Sequence, residues 1–188
     1  MAIQINGNGT ITGISSGGLP AGCVTSATLA SGAGGKILQV LQSSFTDAKS
    51  TNSTTFTDTG LSVSITPSSA SNKILIMYSL YLSVRADTYS ASTVIVRDSS
   101  EIFIGDAISS AERGSSFMWP DGGRDPSLHS HTFLDSPNTT AATTYAVQCK
   151  STYGGGDGYF YINSPGTNDN QPYQVSASSN LTLIEVAA

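Results

Sequence analysis

Between Lys73 and Val84 the chain reads K-I-L-I-M-Y-S-L-Y-L-S-V. Side chains on a strand alternate between its two faces. One face then carries Ile74, Ile76, Tyr78, Leu80, Leu82 and Val84, with no charged member. The other carries Leu75, Met77, Ser79, Tyr81, Ser83 and Arg85, apolar where it begins and polar where it ends. Periodicity alone also admits a buried helix. The β-branched and aromatic content decides for a strand, as does the lack of any N-cap other than Asn72. Full burial of each large apolar side chain contributes roughly 1.5–3 kcal/mol, and no other segment offers as many. The run predicts a central strand, about 40 Å long at ~3.3 Å per residue. Its second face suits cover by another subunit.

From Lys36 onward, short strand patterns alternate with turn residues. Strands are predicted at Ile37–Ser43, Thr54–Thr57, Leu61–Thr66, Thr93–Arg97, Glu101–Gly105, Ser115–Trp119, Leu128–Leu134, Thr143–Lys150, Tyr159–Asn163 and Leu181–Val186. Loops or turns are predicted at Asp47–Asn52, Pro67–Asn72, Asp98–Ser100, Pro120–Pro126, Asp135–Asn138, Gly154–Gly158 and Ser164–Pro172. The Asp98–Ser100 turn is expected to close a hairpin. Ala107–Arg113 is long enough for one helical turn, and no segment reads as a longer helix. The pattern predicts an all-β, antiparallel β-sandwich head over residues 36–188.

Residues 1–35 differ from the rest. They hold no charged side chain, and Ile3, Ile5, Ile11, Ile14, Leu19, Val24 and Leu29 stand isolated among Gly, Ser and Thr. Such a segment buries too little surface to fold alone. The regular recurrence of Ile sets it apart from a plain Gly/Ser linker. It reads as an extended attachment or trimerisation arm, ordered by symmetry mates or by a larger particle, with a loose tail as the competing reading.

Charged residues make up only 11% of the 188, and the formal net charge is −5. The four Lys and four Arg are scattered, which argues against a nucleic-acid groove. No run approaches the ~20 apolar residues of a membrane helix, so no membrane insertion is expected. M-A-I-Q-I-N-G has neither a basic region nor an apolar core, so Sec-type export is not expected. The sequons at Asn52, Asn138 and Asn180 then carry little meaning. Cys149, in Y-A-V-Q-C-K, reads as a small buried hydrophobe, while Cys23 lies in the Gly-rich arm. Two cysteines make no disulfide framework, and a bridge between them is the less favoured reading. A sandwich of this size has sheet edges to cover, and a surface poor in charge guards them badly in a monomer. A homo-oligomer resolves this.

Aromatic loop residues give the better hint of binding. Trp119 precedes a Gly-rich loop holding Asp121 and Arg124, and Tyr153, Asp157 and Tyr173 lie at or beside the two later loops. Rings with polar neighbours suit sugar faces. Loops 119–126, 153–158 and 164–173 are therefore expected to form a distal receptor-binding surface, with Trp119, Asp121, Arg124, Tyr153, Asp157 and Tyr173 as its candidate contacts. Alternation is expected to take at least Tyr159 or Tyr161 into the core instead. The chain's only histidines, His129 and His131, share one face at i and i+2 of a strand. Imidazole is a common transition-metal ligand, yet one chain supplies only two, and two hydrogen-bonded strand histidines are the bland alternative. Asp121, Asp125 and Asp157 in Gly-rich loops suit Ca²⁺ or a carboxylate pair, but Asp beside Gly is ordinary turn chemistry. Thr167-Asn168-Asp169-Asn170 lacks EF-hand spacing. No nucleophile-elbow, zinc-protease or P-loop pattern is present, so no enzyme is expected, with a polysaccharide-degrading activity as a distant alternative.

The opening N-G-T-I-T-G-I-S-S-G-G-L-P-A-G, then G-K-I-L-Q-V, resembles the start of many tailed-phage virion proteins, those of marine phages above all. L-S-V-S-I-T-P-S-S-A-S-N-K-I-L-I, V-I-V-R-D-S, I-G-D-A, F-L-D-S-P-N-T-T-A-A-T-T-Y-A-V-Q and S-S-N-L-T-L-I-E-V-A resemble the same group, so the likeness spans nearly the whole chain. None of these blocks is a catalytic signature. The resemblance implies a tail-fibre-like or head-fibre-like virion protein with a homotrimeric, jelly-roll-like head in the manner of complement and tumour-necrosis-factor heads. It implies other virion proteins as partners of the arm and a host-surface glycan or protein as partner of the head. A capsid decoration or head-fibre role, serving assembly and stability, is the alternative. By analogy with trimeric phage fibres that hold iron on stacked His-x-His pairs, His129 and His131 from three chains would give six nitrogens at a trimer axis; no other cofactor is expected.

Overall fold

The structure is a computed structural model that describes residues 36–84, 90–119, 126–153, 158–166 and 174–188, with the backbone of Gln4–Ile5 and Ile11–Thr12. The chain divides into two compact units, Met1–Lys36 and Ile37–Ala188. In the first, β1 (Gln4–Ile5) pairs antiparallel with β2 (Ile11–Thr12). The remainder of residues 1–35, including Cys23, lies outside the described residues.

The second unit is a sandwich of two antiparallel sheets. One sheet holds β3 (Ile37–Phe45), β4 (Lys49–Thr51), β6 (Lys73–Val84), β10 (Ser127–Asp135), β12 (Phe160–Ile162) and β13 (Ser179–Val186). The other holds β5 (Thr57–Ile65), β7 (Ala91–Arg97), β8 (Ser100–Ile102), β9 (Ser116–Met118) and β11 (Thr143–Ser151). Ile76 pairs with Phe133 of β10 and with Leu183 of β13, and Leu82 pairs with Ser127 of β10 and with Ile162 of β12. So β10 takes one edge of β6, and β13 and β12 share the other, end to end. In the second sheet β7 lies between β11 and the β8/β9 pair.

The pairings nest. β3 pairs with β13, β5 with β11, β6 with β10, and β7 with the short β8 and β9 that follow it. An antiparallel ribbon wrapped in this way over two sheets is a jelly roll.

The predicted central strand is observed, and its uncharged face makes the core. Ile74, Ile76, Tyr78, Leu80, Leu82 and Val84 are all buried, against Leu61 and Ile65 of β5, Ile95 of β7 and Tyr145, Val147 and Cys149 of β11. Tyr78 Oη lies 3.1 Å from Thr93 Oγ1 on the facing sheet, so this buried phenol has a partner. Among the described residues no buried side-chain nitrogen or oxygen lacks one. Cys149 is a buried free thiol, and burial pushes its pKa up.

Several boundaries differ from the sequence pattern, each for a local reason. Lys49–Thr51, inside the predicted 47–52 loop, is a strand because Ser50 pairs with Tyr161 of β12. Thr54–Phe56 is not a strand. Ser53 Oγ donates to Thr55 O over 2.7 Å and accepts from Thr55 N at 3.1 Å, and such local hydroxyl bonds compete with a sheet ladder. The hairpin after β7 forms, but β8 stops at Ile102 because Phe103 takes a left-handed φ of +52°. Residues 107–113 hold a turn, Ala111 N to Ile108 O at 2.9 Å, rather than a helical turn. In β12 it is Phe160 and Ile162 that enter the core. Tyr159 and Tyr161 both stay half-buried on the other side, so neither takes the predicted core place.

Candidate binding surfaces

Alternation that fills the core from one face of the six-stranded sheet leaves the other face to solvent. Register across the four ribbons aligns Val40 of β3, Ile184 of β13, Leu75 of β6 and Leu134 of β10 in one row. Gln42, Thr182, Met77 and Thr132 form the next row, and Ser44, Asn180, Ser79 and Ser130 the third. Gln42 Nε2 donates to Thr182 Oγ1 over 2.8 Å, consistent with neighbours on one face. Tyr81 opposite Leu128 follows. These rows hold no charged residue. Val40 is 55% exposed, Leu134 52% and Met77 42%. Lone exposed apolar side chains are ordinary, but a contiguous apolar row is a feature of interaction sites.

His129 and His131 do share a face, and it is the opposite one. Their rings turn toward the gap between the sheets at its β10 edge. His129 Nδ1 lies 3.4 Å from Ser116 Oγ of β9, and its Nε2 lies 3.1 Å from Ser127 Oγ. Burial, and then the neighbouring His131, hold the His129 pKa below its ordinary value, which favours neutral imidazole. His131 lies beside the rings of Tyr78 and Phe103, each centroid 5.8 Å away. Among the described residues no group of three or more His, Cys, Asp or Glu is placed to hold a metal. Within one chain the pair is a hydrogen-bonded, ring-packed edge of the sandwich.

Two of the predicted loops leave the same end of the fold. Ala91, at the start of β7, pairs with Met118 on one side and Ser151 on the other. Trp119 and Tyr153 follow close after those two residues. Trp119 is 68% exposed and sits 6.2 Å, centroid to centroid, from the exposed ring of Phe117; Tyr153 is also exposed. Phe117 was not singled out from sequence, although its alternation with the buried Met118 marks it as outward. Asp121, Arg124, Asp157 and Tyr173 lie outside the described residues, as do Asp125 and most of loop 164–173. The structure thus brings the flanks of the first two loops together and describes Trp119 and Tyr153 of the six predicted contacts.

The rows Val40–Ile184–Leu75–Leu134 and Gln42–Thr182–Met77–Thr132 were legible only in part. The Leu75 and Met77 side of β6 was visible as a second apolar face. The partners on β3, β13 and β10 depend on register, which pairing sets. No protein-family model matches this chain, and comparison with the curated proteins returns no match.

Proposed function

We propose that the chain is a non-enzymatic virion structural protein, a homotrimeric phage fibre or spike. Its N-terminal arm attaches to other virion proteins, and its sandwich head faces a host-surface glycan or protein. The observation that carries self-association is the set of rows without charge on the outer face of the six-stranded sheet. Copies of a chain with net charge −5 repel one another. Across these rows they meet with neither like-charge repulsion nor buried unpaired ions, and the row Val40–Ile184–Leu75–Leu134 supplies apolar area to bury. The virion assignment rests on the resemblance of the uncharged opening and the strand blocks to tailed-phage virion proteins.

Attachment by loops at one end agrees with the shared exit of Trp119 and Tyr153 beside Ala91. Imaging of particles carrying a labelled chain tests the reading. Density at the tail supports a fibre, density over the capsid turns the role to decoration, and absence from particles contradicts a virion protein.

A further inference from the structure

A second surface, on the far sheet, is built differently. Glu112 forms an ion pair with Lys150. Lys150 lies on β11, whereas Glu112 belongs to the connection from β8 to β9, and β7 stands between those strands. The connection must therefore cross the outer face of β7. This accounts for the burial of Val94 and Val96, which point away from the main core yet are 0% and 5% exposed. The crossing segment is held at its base, where Ser115 N donates to Thr93 O over 2.7 Å and Gly105 N to Gly114 O over 3.2 Å. Between it, β11 and the Thr54–Phe56 segment lies an open cleft of about 580 Å³.

In a chain this poor in charge, the cleft gathers Glu101, Glu112, Arg113 and Lys150 with Gln148 and Phe56. Glu112 and Lys150 neutralise each other, and the Lys150 ammonium lies 4.8 Å from the Phe56 ring centroid. Arg113 is fixed through Nε, which donates to Gly105 O over 2.7 Å, so its terminal NH₂ groups remain for a ligand. Among the described residues neither Glu101 nor Arg113 forms an ion pair. The cleft thus offers a strong acceptor and a strong donor beside an apolar wall, with no net charge. An anion or a cation gains little there. A ring carrying hydroxyls, each both donor and acceptor, can answer both groups while its C–H face lies on the wall.

We propose that this cleft, between the β8–β9 crossing and β11, is a binding site for a neutral saccharide, with Glu101 and Arg113 as its hydrogen-bonding contacts and Phe56 as its apolar wall. The binding chemistry stands apart from the virion role; only the source of the sugar, a host surface, rests on the proposed function. The test uses the intact chain on an array of oligosaccharides built from neutral hexoses, N-acetylhexosamines and uronic acids. Saturation-transfer NMR then follows the free form of any sugar that scores. Neutral glycans are expected to bind, with transfer concentrated on the C–H protons of one ring face. Glu101→Ala, at an exposed side chain that forms no ion pair among the described residues, is expected to weaken binding about tenfold or more, and Arg113→Ala similarly. Thr140→Ala, exposed in the turn before β11 and at the far end of that strand from Lys150, should leave it unchanged. A silent array, binding confined to acidic glycans, or an unchanged affinity in Glu101→Ala overturns the proposal. None of these results bears on oligomeric mass or particle location, so the site and the virion reading fail separately.

Discussion

Asn72 donates its side-chain amide to Glu185 Oε1 over 2.6 Å, joining the turn before the central strand to the last strand across 113 residues of chain. Glu185 is buried, and its carboxylate also accepts from Ser68 N at 2.7 Å, Ser68 Oγ at 2.8 Å and Gln39 Nε2 at 2.6 Å. Burial pushes this carboxyl upward, but the hydrogen bonds outweigh it and hold the pKa at about 2. The unfolded chain then binds the proton more readily than the folded one. Stability from this group is full above the unfolded carboxyl value of about 4.3 and is lost as pH falls through about 2, a contribution of roughly 3 kcal/mol. Urea unfolding from neutral to acid pH should show this loss in the wild type. Glu185→Gln should lower stability at neutral pH by about 2 kcal/mol or more and flatten the acid limb. An acid limb unchanged in the variant contradicts the assignment.

A second buried carboxylate links the sheets. Asp135, at the end of β10, accepts from Tyr145 Oη at 2.7 Å and from Arg97 Nη1 at 2.9 and 3.0 Å. Asp135→Ala leaves a buried phenol without its acceptor and a partly buried guanidinium without its ion pair. A loss of about 3 kcal/mol is expected in chemical unfolding. Burial and then the bond to Asp135 push the Tyr145 pKa well up. Ultraviolet titration of the folded chain should therefore leave at least one tyrosine, Tyr145, protonated at about pH 11, where free tyrosine is ionised.

Two glycines are fixed by close approach. Gly60 sits at φ +103°, and a Cβ there would lie 2.7 Å from the Phe45 ring. At Gly114 a Cβ would lie 2.2 Å from Ser92 Oγ and 2.8 Å from Thr93 O, where the β8–β9 connection returns to β7. Ala at either position should cost more than ~1 kcal/mol, read as a lower melting temperature. Gly114→Ala should also expose Val94 and Val96 by displacing the crossing, seen as faster amide exchange in β7.

The architecture was written in alternation. Lys73–Val84 announced a central strand because every second residue was apolar and none of that set was charged. Leu61–Thr66, with Leu61, Val63 and Ile65 on one side, and Thr143–Lys150, with Tyr145, Val147 and Cys149, announced their strands for the same reason. What alternation does not carry is register. It showed Met77 facing outward but not that Thr182 and Thr132 stand beside it. Nor does it carry a crossing: the 103–115 segment has no period, and its path shows in the Glu112–Lys150 pair and the burial of Val94 and Val96. His129 and His131 were rightly placed on one face, yet which face depended on whether Leu128 and Leu134 or the histidines turned inward. Ser53 and Thr55 form their own local bonds, so a β-branched run that reads as strand became a turn.

The outer rows of the six-stranded sheet support a direct substitution test. Met77→Lys with Leu134→Lys places charge on the face without touching the core, since both side chains are about half exposed. The double variant should keep its melting temperature within a few degrees in dilute solution and lose self-association. Retained association would move the interface elsewhere.

Sedimentation equilibrium of the 188-residue chain measures whether copies associate and how many. A homotrimer gives a species of three times 19.4 kDa that persists on dilution and falls to one chain in the Met77→Lys, Leu134→Lys variant. A wild-type mass of 19.4 kDa at every concentration contradicts self-association.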